Sequence, residues 1–185
     1  MTPQDIQARL KAKFGDAIGE LVVTSDATKP TPKYFENWFA IDRKVWREAA
    51  EYLKFDRELL FDGLMCVAGL DEKTKLVAVY NLYSYIHRHR ITVKVEVTRE
   101  EPKMPSAQPV WMHADWMERE TYDLLGIVFE GHRDLRRVLL PDDWIGHPLR
   151  KDYVEPTEYR GIMTWRENLL GKLPGQSYEP KAGGS

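Results

Sequence analysis

Apolar residues recur every three or four positions in three stretches of the chain, a spacing that predicts amphipathic helices. The predicted helices span residues 3–14, 43–53 and 114–125. Thr2 and Asp42 precede the first two, where their side chains can cap the helix starts. Gly15 and Gly126 follow the first and third, as glycine does at many helix ends. Ser106 is expected to cap a further, shorter helix.

Alternation of apolar and polar residues predicts the strands, which bury one face and expose the other. It is clearest in residues 91–98, where four apolar side chains alternate with Thr, Lys and Glu. Further strands are predicted at residues 20–24, 37–41, 64–70 and 76–85. The connection at residues 86–90 holds His87 and His89 without a carboxylate or cysteine close by in sequence. This composition favours a solvated turn over a metal site.

These elements predict an α+β fold in two parts. Residues 1–128 are expected to form an α/β domain with a small mixed or antiparallel sheet flanked by helices. Residues 129–185 lose regular periodicity but keep aromatic residues such as Tyr159, Trp165 and Tyr178, which disordered chains lack. We therefore expect an extended arm that binds a partner and becomes ordered only with it.

Composition and charge exclude several classes of function. The 185 residues carry a net charge of −2, whereas proteins that bind nucleic acid usually show a basic excess. Cys66 is the single cysteine, so the chain can form no internal disulfide and cannot hold an iron–sulfur cluster alone. No stretch is apolar enough to span a bilayer, and no secretory signal is visible at the start. Any membrane association is therefore expected to depend on partner proteins.

Catalysis by the chain itself is a weaker hypothesis. His113, His132 and His147 are isolated in sequence, whereas zinc ligands usually occur in pairs three or four residues apart. Glu118 and Glu120 are two positions apart on a predicted helix, so their side chains point in different directions. An independent metalloenzyme built from these residues remains the alternative from another functional class.

Charged residues of both signs concentrate after the third predicted helix, at residues 133–137 and 142–152. They could form an ion-pair network within the chain, or they could lie at a subunit interface, where arginine is enriched. The aromatic residues that follow favour the interface. Within the helix, Arg119 is expected to pair with Asp123, which lies four positions later.

Two charged motifs resemble the signature of the 30-kDa subunit family of respiratory complex I, whose bacterial members are the C subunits of NADH–quinone oxidoreductase. The first runs ERETYDLL from Glu118, and the second runs GHPLRKDY from Gly146. The resemblance covers residues 37–159. The residues that match the signature, and that it implies as contacts to a partner, are Glu118, Arg119, Glu120, Asp123, His132, Arg136, Arg137, His147, Pro148, Arg150, Lys151, Asp152 and Tyr153.

This resemblance implies a peripheral subunit that wraps its arm around the 49-kDa-type subunit, which shapes the quinone site. It implies that the chain has no cofactor and no catalytic activity of its own, with FMN and iron–sulfur clusters in sibling subunits. It further implies the unfused form of the subunit and a location at the cytoplasmic face of the bacterial inner membrane. Photosynthetic, deazaflavin-dependent and membrane-bound hydrogenase complexes contain equivalent subunits, so the electron donor stays open.

Overall fold

A computed structural model describes residues 1–23 and 37–164. These residues divide into two compact units, with the boundary between Lys151 and Asp152. The sequence placed the boundary between domain and arm at residue 128, whereas the first unit continues to Lys151. Trp165 and Tyr178 of the expected arm lie outside the described residues.

The first unit contains a mixed sheet of four strands in the order β1-β4-β3-β2. Its strands are β1 (Trp38–Ile41), β2 (Gly63–Asp71), β3 (Lys75–Tyr83) and β4 (Arg90–Thr98). β1 runs parallel to β4, and the other neighbours are antiparallel. Its helices are α1 (Pro3–Phe14), α2 (Trp46–Phe55) and α3 (Ala114–Leu125). This arrangement confirms the predicted α+β class with a small mixed sheet.

Helix ends agree with the sequence where the signal is local. The Thr2 hydroxyl accepts the Asp5 N–H at 3.2 Å and the Asp5 carboxylate accepts the Thr2 N–H at 3.0 Å, a capping box. Gly126 ends α3 in the left-handed conformation, as predicted. The predicted start of α2 was wrong, because Asp42 accepts the Lys44 N–H in a preceding turn and the helix begins only at Trp46.

Two other expectations are corrected, and one pair of strands was not predicted. The strand predicted at residues 20–24 is reduced to an isolated bridge between Val22 and Trp38 within the described residues. Ser106 caps a single turn rather than a helix, with its hydroxyl accepting the Gln108 N–H at 3.0 Å. The polar stretch after β4 contains β5 (Lys103–Pro105), which pairs in parallel with β6 (Val128–Glu130). Parallel pairing between distant residues leaves no local signal in a sequence.

The core lies between the helices and one face of the sheet. The β3 positions Leu76, Ala78, Tyr80 and Leu82 pair with Val97, Val95, Val93 and Ile91 of β4, and all eight are buried. Ile6 and Leu10 of α1 and Trp46 of α2 join the same cluster. Burying alternate side chains of both strands favours this register, since a one-residue slip would expose them.

Helix α3 packs directly on β2 at Gly69. A Cβ at this position would lie 2.2 Å from Leu125 Cδ1 and 2.8 Å from Thr121 Cγ2. Glycine therefore lets the helix approach the strand closely, which fixes α3 against the sheet.

The second unit contains a short hairpin, β7 (Glu158–Tyr159) and β8 (Ile162–Met163). Arg160 and Gly161 form its turn with positive φ angles, and the Arg160 guanidinium stacks on the Tyr159 ring.

We expect Gly69→Val to lower the free energy of unfolding by about 2 kcal/mol, because overpacking displaces α3 from β2. Urea unfolding followed by tryptophan fluorescence measures this change. Ala68→Val is the matched control, since Ala68 is exposed on the same strand. Equal stability of the two variants would show that α3 does not depend on this close contact.

Candidate functional site

Residues 131–151, which we call the strap, follow β6 and hold most of the charged residues that the sequence analysis selected. The strap has no helix or strand, so its backbone groups need other partners. It contacts the rest of the first unit through Asp115, Asp123 and Asp71.

Asp123 of α3 is the central contact. One oxygen of its fully buried carboxylate accepts the N–H groups of Val138, Leu139 and Leu140 at 3.0, 2.8 and 2.9 Å. The other oxygen accepts Arg137 Nη1 at 2.7 Å. Three successive N–H groups of the strap thus form a concave anion site that a side chain of the helix fills.

Burial alone would raise the pKa of the Asp123 carboxyl, because it disfavours the charged form. The strap N–H groups and the Arg137 guanidinium outweigh burial and hold this pKa below its ordinary value. Arg137 also donates to the carbonyl oxygens of Trp144 and Gly146 at 3.0 and 3.1 Å. Asp123 therefore stays ionised. It fixes residues 137–140 of the strap directly, and through Arg137 it fixes the segment that contains Trp144 and Gly146.

The strap also satisfies the carbonyl groups that α3 leaves open at its end. His147 Nδ1 donates to the Asp123 carbonyl at 2.9 Å, and the Leu149 N–H donates to the Leu124 carbonyl at 3.0 Å. Arg150 Nε donates to the Leu125 carbonyl at 2.6 Å. Its guanidinium therefore lies at the negative end of the helix dipole, where a cation is favourable.

Gly126 is required at this end for two reasons. Its φ is +74°, a conformation that other residues adopt reluctantly. A Cβ there would lie 2.5 Å from His147 Cδ2 and 2.7 Å from Arg150 Nη2. Because Gly126 has no side chain, the strap can lie directly over the helix end.

The start of the strap is bonded to the other end of α3. Arg133 pairs with the buried Asp115 carboxylate at 2.6 Å. His132 Nε2 donates to the Asp115 carbonyl, and its Nδ1 accepts the Asp134 N–H. Arg119 donates to the Arg136 carbonyl at 3.3 Å, so the predicted Arg119–Asp123 pair is wrong.

Asp71, at the end of β2, holds the end of the strap and was missed by the sequence analysis. Its carboxylate accepts the Lys151 N–H at 2.8 Å and pairs with Arg99 at 2.6 Å. The bond from Arg99 holds the pKa of this carboxyl well below its usual range. An aspartate before a turn is common, so the sequence offered no sign of this contact.

Glu118 is fully buried on the core side of α3 and forms a separate cluster. Its carboxylate accepts the Tyr80 hydroxyl at 3.1 Å, the Ser106 hydroxyl at 2.5 Å and the Ala107 N–H at 2.8 Å. Burial raises the pKa of Glu118 to about 7 against the opposing effect of these bonds. The cluster joins α3 to β3 and to the turn after β5.

The residues selected from the sequence thus divide into two groups. Glu118 and Asp123 are buried and bonded inside the chain, so their carboxylates cannot meet a partner. Exposed residues include Glu120, Arg136 and Lys151, whereas Asp152 and Tyr153 belong to the second unit. Residues 1–23 and 37–164 contain no cluster of three or more His, Cys, Asp or Glu suited to a metal ion.

Comparison with known families decides the identity. The family described as respiratory-chain NADH dehydrogenase, 30 Kd subunit, matches residues 39–159, about two-thirds of the chain. The chain belongs to this family. The predicted resemblance is therefore confirmed, and both charged motifs lie in or beside the strap of a 30-kDa-type subunit.

Curated relatives of this 30-kDa-type subunit are named as the C subunit of NADH-quinone oxidoreductase. The Chloroherpeton thalassium protein is 44% identical over 157 residues, which are 83% of this chain and 61% of the relative. The Chlorobium phaeobacteroides protein is 40% identical over 156 residues, 83% of this chain and 89% of the relative. The chain therefore spans less than two-thirds of the first relative and most of the second.

A solved structure has the same fold at low sequence identity. A chain of the archaeal membrane-bound sulfane sulfur reductase matches with a TM-score of 0.64 and 20% identity, over 82% of this chain and 85% of that one. Among the residues with described positions, each helix is too short or too polar to cross a bilayer.

We expect Asp123→Asn to lower the free energy of unfolding of the 30-kDa-type subunit by about 3 kcal/mol, since Arg137 and strap N–H groups lose a buried carboxylate. Urea unfolding measures stability, and hydrogen exchange at residues 138–140 measures the strap. Asp134→Asn is the control, because Asp134 is half-exposed and pairs with the exposed Arg136. It should change the free energy of unfolding by less than about 1 kcal/mol. Unchanged protection of these amides in Asp123→Asn would contradict the role of Asp123.

The raised pKa of Glu118 predicts a pH dependence of stability. The carboxyl binds its proton more tightly in the folded chain than in the unfolded chain. Its contribution to the free energy of unfolding is therefore complete below the ordinary pKa of 4.5 and is lost as the pH rises to about 7. Relative to Glu118→Gln, the native chain should therefore lose about 3 kcal/mol of unfolding free energy across this window.

Urea unfolding at several pH values measures this difference, in which the other titrating groups cancel. Glu120→Gln is the control, because Glu120 is exposed and should give a flat difference. A flat difference for Glu118→Gln as well would show that burial does not raise the Glu118 pKa.

Proposed function

We propose that this chain is a cofactor-free, peripheral subunit of a proton-translocating NADH–quinone oxidoreductase, in which the strap docks on the 49-kDa-type subunit. In this role the chain supports electron transfer from NADH to quinone, through FMN and iron–sulfur clusters of sibling subunits. It catalyses no step by itself and lies with the complex at the cytoplasmic face of the bacterial inner membrane. Membership of the 30-kDa subunit family and the names of the curated relatives support this proposal.

The observation that carries the docking proposal is the inverted polarity of the strap. Arg137 and Arg150 bond inward to α3. In contrast, Leu139, Ile145 and Leu149 are 61%, 84% and 57% exposed. Three large exposed apolar side chains on one short segment without helix or strand are consistent with an interaction site. Trp116 of α3 is 68% exposed and carries the Arg119 guanidinium over its ring, a composition typical of interface anchors.

The predicted interface also contains charged residues. Glu120, Arg136 and Lys151 are exposed, and the second-unit residues Asp152 and Tyr153 also belong to the predicted interface. The strap is bonded within the chain at Asp115, Asp123 and Asp71. A prebuilt surface loses little conformational entropy on docking, which supports tight assembly.

A second candidate is the equivalent subunit of a related photosynthetic, deazaflavin-dependent or hydrogenase complex. The same fold occurs in the archaeal sulfane sulfur reductase complex, so fold alone does not select the electron donor. The curated relatives, whose names specify NADH and quinone, favour the first candidate. Purification of the complex distinguishes the two, because only the first should contain nicotinamide-binding subunits.

We expect Ile145→Glu to reduce the amount of assembled complex at least about tenfold, since a carboxylate in an apolar contact opposes docking by more than 1.4 kcal/mol. Native gels of solubilised membranes measure assembly, and NADH–quinone activity is divided by the amount of complex. Activity per complex should stay near the native value.

Phe55→Glu is the matched control, because Phe55 is 68% exposed on α2, away from the strap. It should leave assembly unchanged, and the isolated variants should unfold like the native chain. Normal assembly of Ile145→Glu with lost quinone reduction would place the strap at the quinone site itself and contradict a purely docking role.

A further inference from the structure

We propose that the tip of the β3–β4 hairpin is a second docking surface, which receives an acidic segment of a partner protein. The hairpin tip comprises residues 83–89, with Arg57 beside it. This inference goes beyond the proposed role of the strap and does not depend on which complex contains the chain.

The hairpin tip is rigid. The Ser84 N–H donates to the His89 carbonyl at 2.9 Å, and the Arg88 N–H donates to the Ser84 carbonyl at 2.8 Å. The Tyr85 N–H donates to the Asp62 carboxylate at 2.9 Å, which joins the tip to the segment before β2. These bonds fix the backbone of the turn from which the exposed side chains extend.

The two histidines of the hairpin tip attach it to the neighbouring loop. His87 Nε2 donates to the Arg57 carbonyl at 2.9 Å, and His89 Nε2 donates to the Leu59 carbonyl at 2.7 Å. The predicted solvated turn is therefore corrected at His89, which is buried. The histidines support the tip, so its exposed groups are available for contacts outside the chain.

The apolar part of this surface is Tyr85 and Ile86, which are 67% and 68% exposed. The Tyr85 ring leans against Gly63, where a Cβ would lie 2.6 Å from Cε2. It also packs edge-on against Tyr83 with ring centroids 5.1 Å apart. The tyrosines therefore form a ledge beside the strands, and glycine at position 63 makes room for it.

The charge around this ledge is positive, although the whole chain carries −2. Arg57 and Arg88 are exposed, and among the described residues their guanidinium groups have no hydrogen bond or ion pair. The nearby acids are already engaged. Asp56 accepts the N–H groups of Glu58 and Leu59, the Glu58 carboxylate pairs with Arg9, and Asp62 accepts the Tyr85 N–H.

This combination fits a protein segment better than a lipid surface. A basic residue near an anionic bilayer contributes only about 1 kcal/mol, so two arginines would hold the chain weakly. The Tyr85 ring leans back against the strands rather than projecting, so it is poorly placed to enter a bilayer. Arginine binds a carboxylate with two parallel hydrogen bonds, and tyrosine with arginine is enriched where proteins meet.

The hairpin tip is separate from the strap. The tip adjoins Gly63 at the start of β2, whereas the strap is bonded to Asp71 at its end. Nine residues of extended strand place these points about 26 Å apart. One partner segment is therefore expected at each end of β2.

The test places a photo-activated cross-linking amino acid at Ile86 in the full chain, within the complex purified from its own membranes. We expect a cross-link to an acidic segment of another subunit, mapped by mass spectrometry. The same amino acid at Ala12, an exposed position on α1, supplies the background. Cross-links only to lipid, or none above the Ala12 background, would overturn the proposal.

Charge reversal then tests the role of arginine. Arg88→Glu should lower the cross-link yield about tenfold, whereas Lys73→Glu should leave it unchanged. Lys73 is the matched control because it is an exposed basic residue at positive φ in the β2–β3 turn. Arginine in place of the mapped acid should restore the yield with Arg88→Glu. A mapped segment without acidic residues, or an unchanged yield with Arg88→Glu, would overturn the proposal.

Discussion

The strap depends on one buried carboxylate. An irregular segment must find partners for its backbone, and Asp123 supplies an acceptor for three successive N–H groups at once. The same carboxylate could not stay ionised in a buried position without these groups and Arg137. Helix and strap are therefore mutually dependent: each satisfies a group that the other could not bury alone. With this path of the backbone, Leu139, Ile145 and Leu149 are exposed.

Much of the fold follows from local patterns in the sequence. The ends of α1 and α3 could be predicted because Thr2, Gly15 and Gly126 act on their immediate neighbours. The β3–β4 ladder could be predicted because alternation records which face is buried. The start of α2 could not, since the Asp42 side chain can bond to a turn as well as to a helix. The parallel β5–β6 pair depends on contacts between distant residues and left no pattern.

The site was harder to predict than the fold, because charge by itself does not tell whether a residue points inward or outward. Of the two explanations of the charged segment, the network within the chain describes part of it. Asp123, Arg137 and Arg150 form a network within the chain, whereas Leu139 and Ile145 remain exposed. The spacing of charges around α3 suggested an Arg119–Asp123 pair, but the strap competes for Asp123 and supplies Arg137 instead. Helical spacing predicts contacts only between residues three or four positions apart, so it gives no sign of Arg137, which lies fourteen positions after Asp123.

The inward bonds also bear on the proposed docking surface. Exposed leucine and isoleucine on a mobile loop would lose much of their contact energy to the entropy of ordering. On the strap that entropy is lost during folding, because Asp123, Gly126 and Asp71 determine the path of the backbone before any partner arrives. In the proposed docking, the polar network lowers the entropy that is lost on binding, and the apolar residues supply the surface area that is buried. A substitution in either group would weaken docking, but only one in the network would also disturb the isolated chain.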